Sequence, residues 1–160
     1  MVLVKTIIFT IIVPGVIIVF IPYEILTSSS APTPMQFGIL QYYSASPILL
    51  GATVYFWCAW DFTFTGRGTP ALIAGPKELV VRGLYRYVRN PMYIGFLSIL
   101  LGEALLFESL KLLGYTAVMF SFFYFLVVFL EEPILKDKFG ESYEKYCQSV
   151  ARWLPLKIKR

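Results

Sequence analysis

Four apolar runs alternate with polar stretches along the chain. They cover residues 2–23, 43–64, 91–107 and 112–130. A helix needs about 17–25 mostly apolar residues to cross a hydrocarbon layer of roughly 30 Å, and the four runs are of that length. Only residues 108–111 separate the last two runs, so these two are expected to form a helical hairpin. The pattern predicts an all-α integral membrane protein with about four transmembrane helices.

The first run has a second interpretation, as a cleaved signal peptide. Residues 27–32 behind it are small and suit a cleavage region. However, the apolar part of a signal peptide is typically only about 7–15 residues long, and this run is longer. We therefore expect an uncleaved anchor and a single domain, 1–160, in which residues 1–64 form two anchor spans.

Basic residues are concentrated in two of the polar stretches. Residues 65–90 carry five lysines and arginines and residues 131–160 carry seven, whereas residues 24–42 carry none. Because basic loops stay on the cytoplasmic side of a membrane, residues 65–90 and the C-terminus are predicted to be cytoplasmic. The simplest role of these charges is to orient the protein.

Composition supports the membrane assignment and excludes other classes. Hydrophobic residues make up 58% of the 160 residues and charged residues only 15%, which is more apolar surface than a soluble domain of this size can hide. The net charge of +4 is local, so it does not indicate nucleic-acid binding. Histidine is absent and Cys58 and Cys147 lie far apart, so no metal site is expected and both thiols should be free.

One polar cluster precedes the third run. Arg82, Arg86 and Arg89 have the spacing of one helical face, and Asn90-Pro91 is a typical helix start because Asn caps and Pro suits the first turn. A helix N-terminus flanked by arginines can bind an anion. The alternative is an interfacial helix whose arginines contact lipid phosphates.

The other polar features are carboxylates and a tail. Glu131 and Glu132 follow the fourth run. Because side chains at successive positions point in different directions, one is expected to face a ligand and the other a structural partner. The alternative is that the pair only caps and turns the helix end. Glu103 lies inside the third run and is either functional or solvated near the far interface.

The pattern of the tail predicts an amphipathic C-terminal helix that Gly140 interrupts. Its apolar face consists of Leu135, Phe139, Tyr143, Tyr146 and Val150.

Several motifs together resemble the isoprenylcysteine carboxyl methyltransferase family, and the related phospholipid methyltransferases share the general plan. The resemblance runs from near Gly66 to the C-terminus, and the first two spans carry no signature. Its motifs are Leu79-Val80, Gly83-Leu84-Tyr85, Arg89-Asn90-Pro91-Met92-Tyr93-Ile94-Gly95, Glu131-Glu132 and Phe139-Gly140-Glu141-Ser142-Tyr143, followed by Tyr146, Val150 and Pro155.

The resemblance implies that residues 65–160 form a cofactor-binding half around a hairpin at 91–130. It implies an S-adenosylmethionine site built from the cytoplasmic ends of the last two spans and the tail. The cofactor contacts carried over by position are Lys77, Glu78, Leu79, Val80, Tyr85, Asn90, Pro91, Met92, Tyr93 and Glu131. The implied catalytic residues are Arg89, Glu131 and Glu132.

Three positions depart from the family pattern. Asn90 and Lys77 stand where members have histidines, and Val127 stands where eukaryotic members have an arginine linked to the substrate. The last departure argues against assuming the same prenylcysteine carboxylate substrate.

The leading hypothesis is methyl transfer from S-adenosylmethionine to a lipophilic acceptor with a carboxylate or thiolate-like nucleophile, such as the carboxyl group of a prenylated or lipid-like substrate. The expected partners are a lipophilic small molecule or lipid-modified substrate and membrane lipids, without nucleic acid or metal. The alternatives are a phospholipid N-methyltransferase, a membrane reductase whose arginines hold the 2′-phosphate of NADPH, and a non-enzymatic membrane protein.

Overall fold

A computed structural model describes residue 8 and residues 11–28, 38–64 and 78–155. Within these ranges the regular elements are helices, among them a short 3₁₀ helix at Gly83–Arg86, and one isolated backbone bridge lies outside them. Helices α1 to α5 are Ile11–Thr27, Ile39–Phe64, Pro91–Leu106, Leu110–Phe139 and Glu141–Ser149. The all-helical prediction is confirmed for the described residues.

Among these helices, α4 is the one that is both long enough and apolar enough to cross a membrane. It has 30 residues and contains an 18-residue segment with a mean hydropathy of 2.1. Helices α1 and α3 are apolar but shorter. The number of crossings and their orientation therefore stay predictions.

Small residues allow α2 and α3 to pack closely. A Cβ on Gly95 would lie 2.9 Å from the carbonyl oxygen of Gly51 and 3.2 Å from the backbone nitrogen of Tyr55. Glycines at such a crossing let two backbones approach, as in membrane helix pairs. Tyr55 and Phe96, each 3% exposed, pack edge to face beside this crossing with ring centroids 5.0 Å apart.

Helices α3 and α4 form the predicted hairpin. The turn between them places Glu108 at a positive φ of 45°, and the hydroxyl of Ser109 accepts a hydrogen bond from the backbone N–H of Leu112. This is a regular N-cap, because it satisfies one of the free N–H groups of the first turn. The hydroxyl of Tyr115 donates to the carbonyl of Ile17 at 3.0 Å and thereby ties α1 to the hairpin.

The alternative that Glu131 and Glu132 only cap and turn the end of the fourth span is wrong. Helix α4 continues to Phe139 through a π-helical segment at Val127–Glu131. Pro133 does not break the helix because it lies in the first turn of the renewed α-helical part, Glu132–Phe139, where proline is tolerated. The two carboxylates therefore lie inside a helix, at the end of its π-helical segment, and not at the end of the helix.

The C-terminal tail is interrupted at Gly140, as predicted, where φ is +51°. The predicted apolar face of the tail is buried: Tyr143, Tyr146 and Val150 cluster with partly buried Leu79, Leu135 and Phe139. The backbone N–H of Arg89 donates to the carbonyl of Ala151 at 2.9 Å, next to a parallel bridge between Val88 and Ala151. The tail is therefore fixed to the segment that leads into α3.

Candidate active site

A partly enclosed cavity of about 80 Å³ lies where α3 begins and where α4 passes through its π-helical segment. We call this the Pro91 end of the hairpin. Helices α2 and α5 and the segment before α3 complete the wall. The lining residues are Phe62, Leu79, Val80, Tyr85, Arg89, Asn90, Met92, Tyr93, Val127, Glu131, Glu132, Leu135, Tyr143 and Tyr146.

Glu131 faces the cavity at the last position of the π-helical segment. Its carboxylate accepts a hydrogen bond from the hydroxyl of Tyr93. The ring of Tyr93 stacks on Phe123, with ring centroids 4.6 Å apart. Tyr93 is thus held at both its ring and its hydroxyl, and it fixes the direction of the Glu131 carboxylate in turn.

Glu132 is held by two arginines. Arg152 donates from Nε to Oε1 at 2.7 Å and from Nη2 to Oε2 at 2.8 Å, and Arg89 donates from Nη1 to Oε1 at 3.1 Å. The three side chains are between 13% and 31% exposed, so water screens these charges only in part. Bidentate pairs of this kind are strong and directional. Hydrogen bonding to Glu132 raises the pKa of the Arg152 guanidinium, which stays charged.

The adjacent carboxylates therefore take different partners, as expected from their positions. Glu131 pairs with a neutral phenol, whereas Glu132 binds Arg89 and Arg152. Glu132 thereby joins three segments that are distant in sequence: the residues before α3, helix α4 and the tail.

The predicted arginine face is not observed. Arg82 has an extended backbone and points toward Asp61, with an Nε–Oδ1 distance of 3.8 Å. Arg86 ends the 3₁₀ helix, and Arg89 turns to Glu132 and also donates to Cys147 Sγ at 2.8 Å. The three residues belong to different local conformations, because the helix of the prediction is only four residues long here.

Helix α3 begins at Pro91, as predicted, but Asn90 does not cap it. The side chain of Asn90 makes no capping hydrogen bond; its Nδ2 donates to the carbonyl of Arg152 at 3.1 Å. Asn90 therefore holds the tail over the start of the helix. The prediction of the helix start was correct, while the role of the side chain was wrong.

Most of the predicted site residues meet at this cavity. Those that line it are Leu79, Val80, Tyr85, Arg89, Asn90, Met92, Tyr93, Glu131 and Glu132. Pro91 is buried at the helix start and Glu78 is exposed, and neither belongs to the lining. Lys77 lies outside the described residues. Free thiols at Cys58 and Cys147 agree with the prediction.

Other residues of the site were missed. Phe62 enters the wall from α2, and Arg152 reaches Glu132 from the tail. The apolar periodicity of the tail marks Tyr143 and Tyr146 as inward-facing and was a usable signal. No comparable signal exists for Phe62 or Arg152, because their contacts join segments far apart in sequence.

The tyrosines of the wall stay protonated. Burial raises the pKa of Tyr85, and burial also raises the pKa of Tyr146, whose hydroxyl donates to the carbonyl of Tyr85 at 2.7 Å. A buried phenolate is costly, which is the main cause of both shifts, and the nearby Arg89 offsets only part of it for Tyr146. These rings offer aromatic faces and neutral hydroxyls to a ligand.

Comparison with known proteins gives a family. Residues 34–142 match the model of a family described as phospholipid methyltransferase. A probable protein-S-isoprenylcysteine O-methyltransferase of Oryza sativa subsp. indica is 37% identical over 80 residues, which cover 49% of this chain and 41% of the relative. No solved structure matches the chain.

Two further relatives show the range of names among similar proteins. The protein-S-isoprenylcysteine O-methyltransferase of Schizosaccharomyces pombe is 39% identical over 79 residues, 49% of this chain and 33% of the relative. Methanethiol S-methyltransferase 1 of Bradyrhizobium diazoefficiens is 32% identical over 82 residues, 51% of this chain and 28% of the relative. The chain spans less than half of the length of each of these relatives.

Proposed function

We propose that this chain, which belongs to the phospholipid methyltransferase family, transfers the methyl group of S-adenosylmethionine to a lipophilic acceptor. The observation that carries the proposal is the Tyr93–Glu131 pair in a cavity between a fixed polar tail and apolar helices. Relatives named as methyltransferases of isoprenylcysteine and of methanethiol support the reaction class and leave the acceptor open.

The residues of the cavity fit S-adenosylmethionine. Glu131 suits the ammonium group or the ribose hydroxyls, because a carboxylate can accept hydrogen bonds from either. The start of α3 at Pro91 suits the carboxylate, since a helix N-terminus attracts anions. Tyr85 and Tyr93 offer rings to the adenine or to the sulfonium, the latter through cation–π attraction.

The chain contributes position and exclusion of water. S-adenosylmethionine, when bound, supplies an electrophilic methyl group on a sulfonium. Arg89, Glu132 and Arg152 fix the tail against the cavity, and Tyr93 fixes Glu131. Holding the two reactants in line and away from water supplies most of what such a displacement needs.

The proposed topology brings two kinds of reactant to one place. We place four spans in the bilayer, with residues 65–90 and the tail in the cytoplasm. The surface of α4 near the cavity is apolar and open: Phe122, Phe125 and Phe129 are 52%, 57% and 65% exposed. A water-soluble donor would enter from the tail side and a lipophilic acceptor from the bilayer side.

The reductase alternative has little support from the described charges. Of the arginines that the structure describes before α3, Arg82 lies near Asp61 and Arg89 binds Glu132. The phospholipid N-methyltransferase alternative shares the family and the donor, so it differs only in the acceptor.

Binding of labelled S-adenosylmethionine to the purified chain in detergent tests the proposal. We expect saturable binding that falls at least tenfold in Glu131→Ala and stays unchanged in Glu108→Ala, a carboxylate at the other end of the hairpin. NADPH should not compete. Absence of saturable binding, or equal binding by Glu131→Ala, would sink the proposal, and competition by NADPH would favour the reductase.

A further inference from the structure

Asp61 is a buried carboxylate that plays no part in the proposed reaction. It lies near the end of α2, is 4% exposed and directly precedes Phe62, which lines the cavity. Its Oδ1 is 3.8 Å from Arg82 Nε, which is longer than a hydrogen bond, and its buried Oδ2 has no hydrogen-bond partner in the described part of the chain. Burying a carboxylate in this way is costly, so its position calls for another explanation.

A tight turn lies directly against this carboxylate. The backbone N–H of Tyr85 donates to the carbonyl of Arg82 at 3.1 Å and closes a turn around Gly83, which we call the Gly83 turn. Gly83 has a positive φ of 58°, and an added Cβ would overlap Asp61 Oδ2 and lie 3.1 Å from Trp57 Nε1. Glycine, which has no Cβ, satisfies both the backbone angle and the close approach. The turn therefore packs between two α2 side chains that are one helical turn apart.

The Gly83 turn sets the wall of the cavity on this side. Val80 precedes the turn and Tyr85 ends it; both line the cavity and are 4% and 6% exposed. The ring of Tyr85 packs edge to face on Phe62, with ring centroids 5.4 Å apart. Because Phe62 follows Asp61 directly along α2, the turn and the aromatic wall are both held at one place on that helix.

We infer that Asp61 is a positioning residue of the donor site, an inference that rests on the proposed function. Its carboxylate holds the Gly83 turn against α2 and thereby fixes Val80 and Tyr85 in the wall. The contact depends on the size of the side chain and on an oxygen facing the turn more than on charge, because Arg82 is 66% exposed and water screens that pair. Asp61 acts through the turn and not by contact with the donor.

Two substitutions of Asp61 test this role on the purified full chain in detergent. Asp61→Ala removes the side chain that holds the turn, so the affinity for labelled S-adenosylmethionine should fall about fivefold or more. The melting temperature of this variant should stay near that of the unaltered chain, because removal of an unpartnered buried oxygen offsets the lost packing. Asp61→Asn keeps the size and one oxygen and should restore the affinity to within about twofold. Unchanged affinity in Asp61→Ala, or equal losses in both variants, overturns the inference.

A double-mutant cycle tests the contact itself. Gly83→Ala forces the turn away from Asp61, so donor affinity should fall about tenfold or more in the unaltered chain. In the Asp61→Ala chain the added methyl group meets no carboxylate, and the same substitution should cause a further loss of about threefold or less. The strain of the positive φ is present in both chains and cancels in the comparison. Equal losses in the two chains overturn the inference.

Gly102→Ala is the matched control for loosening of α2. A Cβ on Gly102 would overlap Ile48 Cγ1 and lie 3.0 Å from the carbonyl oxygen of Ser44, at the other end of the hairpin. This variant should lower the melting temperature and leave donor affinity unchanged. A loss of affinity as large as that of Gly83→Ala would mean general loosening of the helices and would overturn the inference, even where Asp61→Ala fails to fold.

Donor binding by the unaltered chain separates the two proposals. Absence of saturable binding removes the proposed function and the inference with it. Saturable binding that Asp61→Ala and Gly83→Ala both leave unchanged overturns the inference alone.

Discussion

The carboxylates at the two ends of the α3–α4 hairpin have different hydrogen-bond partners. At the Pro91 end, Glu131 and Glu132 are bound by Tyr93, Arg89 and Arg152. The opposite end, which we call the Glu108 end, also carries carboxylates. There Glu108 accepts a hydrogen bond from Gln41 Nε2 at 2.6 Å, while Glu103 Oε2 is buried without a hydrogen-bond partner in the described part of the chain.

The difference supports the proposal that the Pro91 end is the one organised for chemistry. The contacts of the Pro91 end fix two side-chain directions and join the tail to the hairpin, at sequence separations of 20 and 43 residues. Those of the Glu108 end join α2 to a turn. Catalysis depends on groups that are already in position, because reorganisation during the reaction is costly. The Pro91 end meets this requirement, whereas Glu103 Oε2 at the other end has no hydrogen-bond partner among the described residues.

The largest effect should come from removing Glu132, the carboxylate that binds both Arg89 and Arg152. Glu132→Ala leaves Arg89 and Arg152 without their shared carboxylate in a mostly buried place. Breaking one partner of a buried ion pair costs about 3–5 kcal/mol, and partial exposure of Arg152 places this variant near 3 kcal/mol. Thermal unfolding in detergent should show a lower melting temperature and earlier proteolysis of the tail.

Glu144→Ala is the matched control for that loss. Glu144 pairs with Lys136 at 2.8 Å on the exposed surface, where solvent screens the charges. Its removal should leave the melting temperature unchanged within error. Equal melting temperatures for Glu132→Ala and Glu144→Ala would show that the network does not hold the tail.

Removing the hydroxyl group of Tyr93 should have a smaller effect. Tyr93→Phe keeps the stacking on Phe123 and removes the hydrogen bond to Glu131. A hydrogen bond to a charged group contributes about 1.5–3 kcal/mol, so the affinity for S-adenosylmethionine should fall roughly tenfold or more. Equilibrium binding in detergent measures this loss.

Tyr115→Phe provides the comparison at the other side of the hairpin. Its hydroxyl donates to the carbonyl of Ile17, away from the cavity. We expect unchanged affinity in this variant. If both substitutions lower the affinity equally, the effect is general loosening of the helices and not the orientation of Glu131.

The local features of this fold were predictable from the sequence. Pro91 begins α3 because proline suits the first turn, and the short connection after α3 forces a hairpin. The family prediction, made from motifs that lie in one order along the chain, was confirmed by the family model that matches residues 34–142. Each of these inferences depends on neighbours in sequence.

Features that depend on distant partners were not predictable. The arginines were assigned to one face from spacing alone, yet Arg89 turns toward Glu132 because α4 passes beside it. Asn90 was assigned as a cap, but the carbonyl of Arg152, 62 residues away, binds its amide. The π-helical segment before Pro133 has no periodic signal, so the continuation of α4 was missed.

The smallest expected effect comes from the Glu108 end, where the substitution should raise the stability of the fold instead of lowering it. Glu103→Gln replaces a carboxylate whose Oε2 is buried and unpartnered by a neutral amide of the same size. Removing a possible charge from an apolar interior lowers the desolvation cost, so stability should rise by about 0.5–1 kcal/mol, with unchanged binding of S-adenosylmethionine. The melting temperature and the dissociation constant, measured on one preparation, check both parts. A large loss of binding in Glu103→Gln, matching that of Tyr93→Phe, would mean that the two ends act together and that the Pro91 end alone does not form the site.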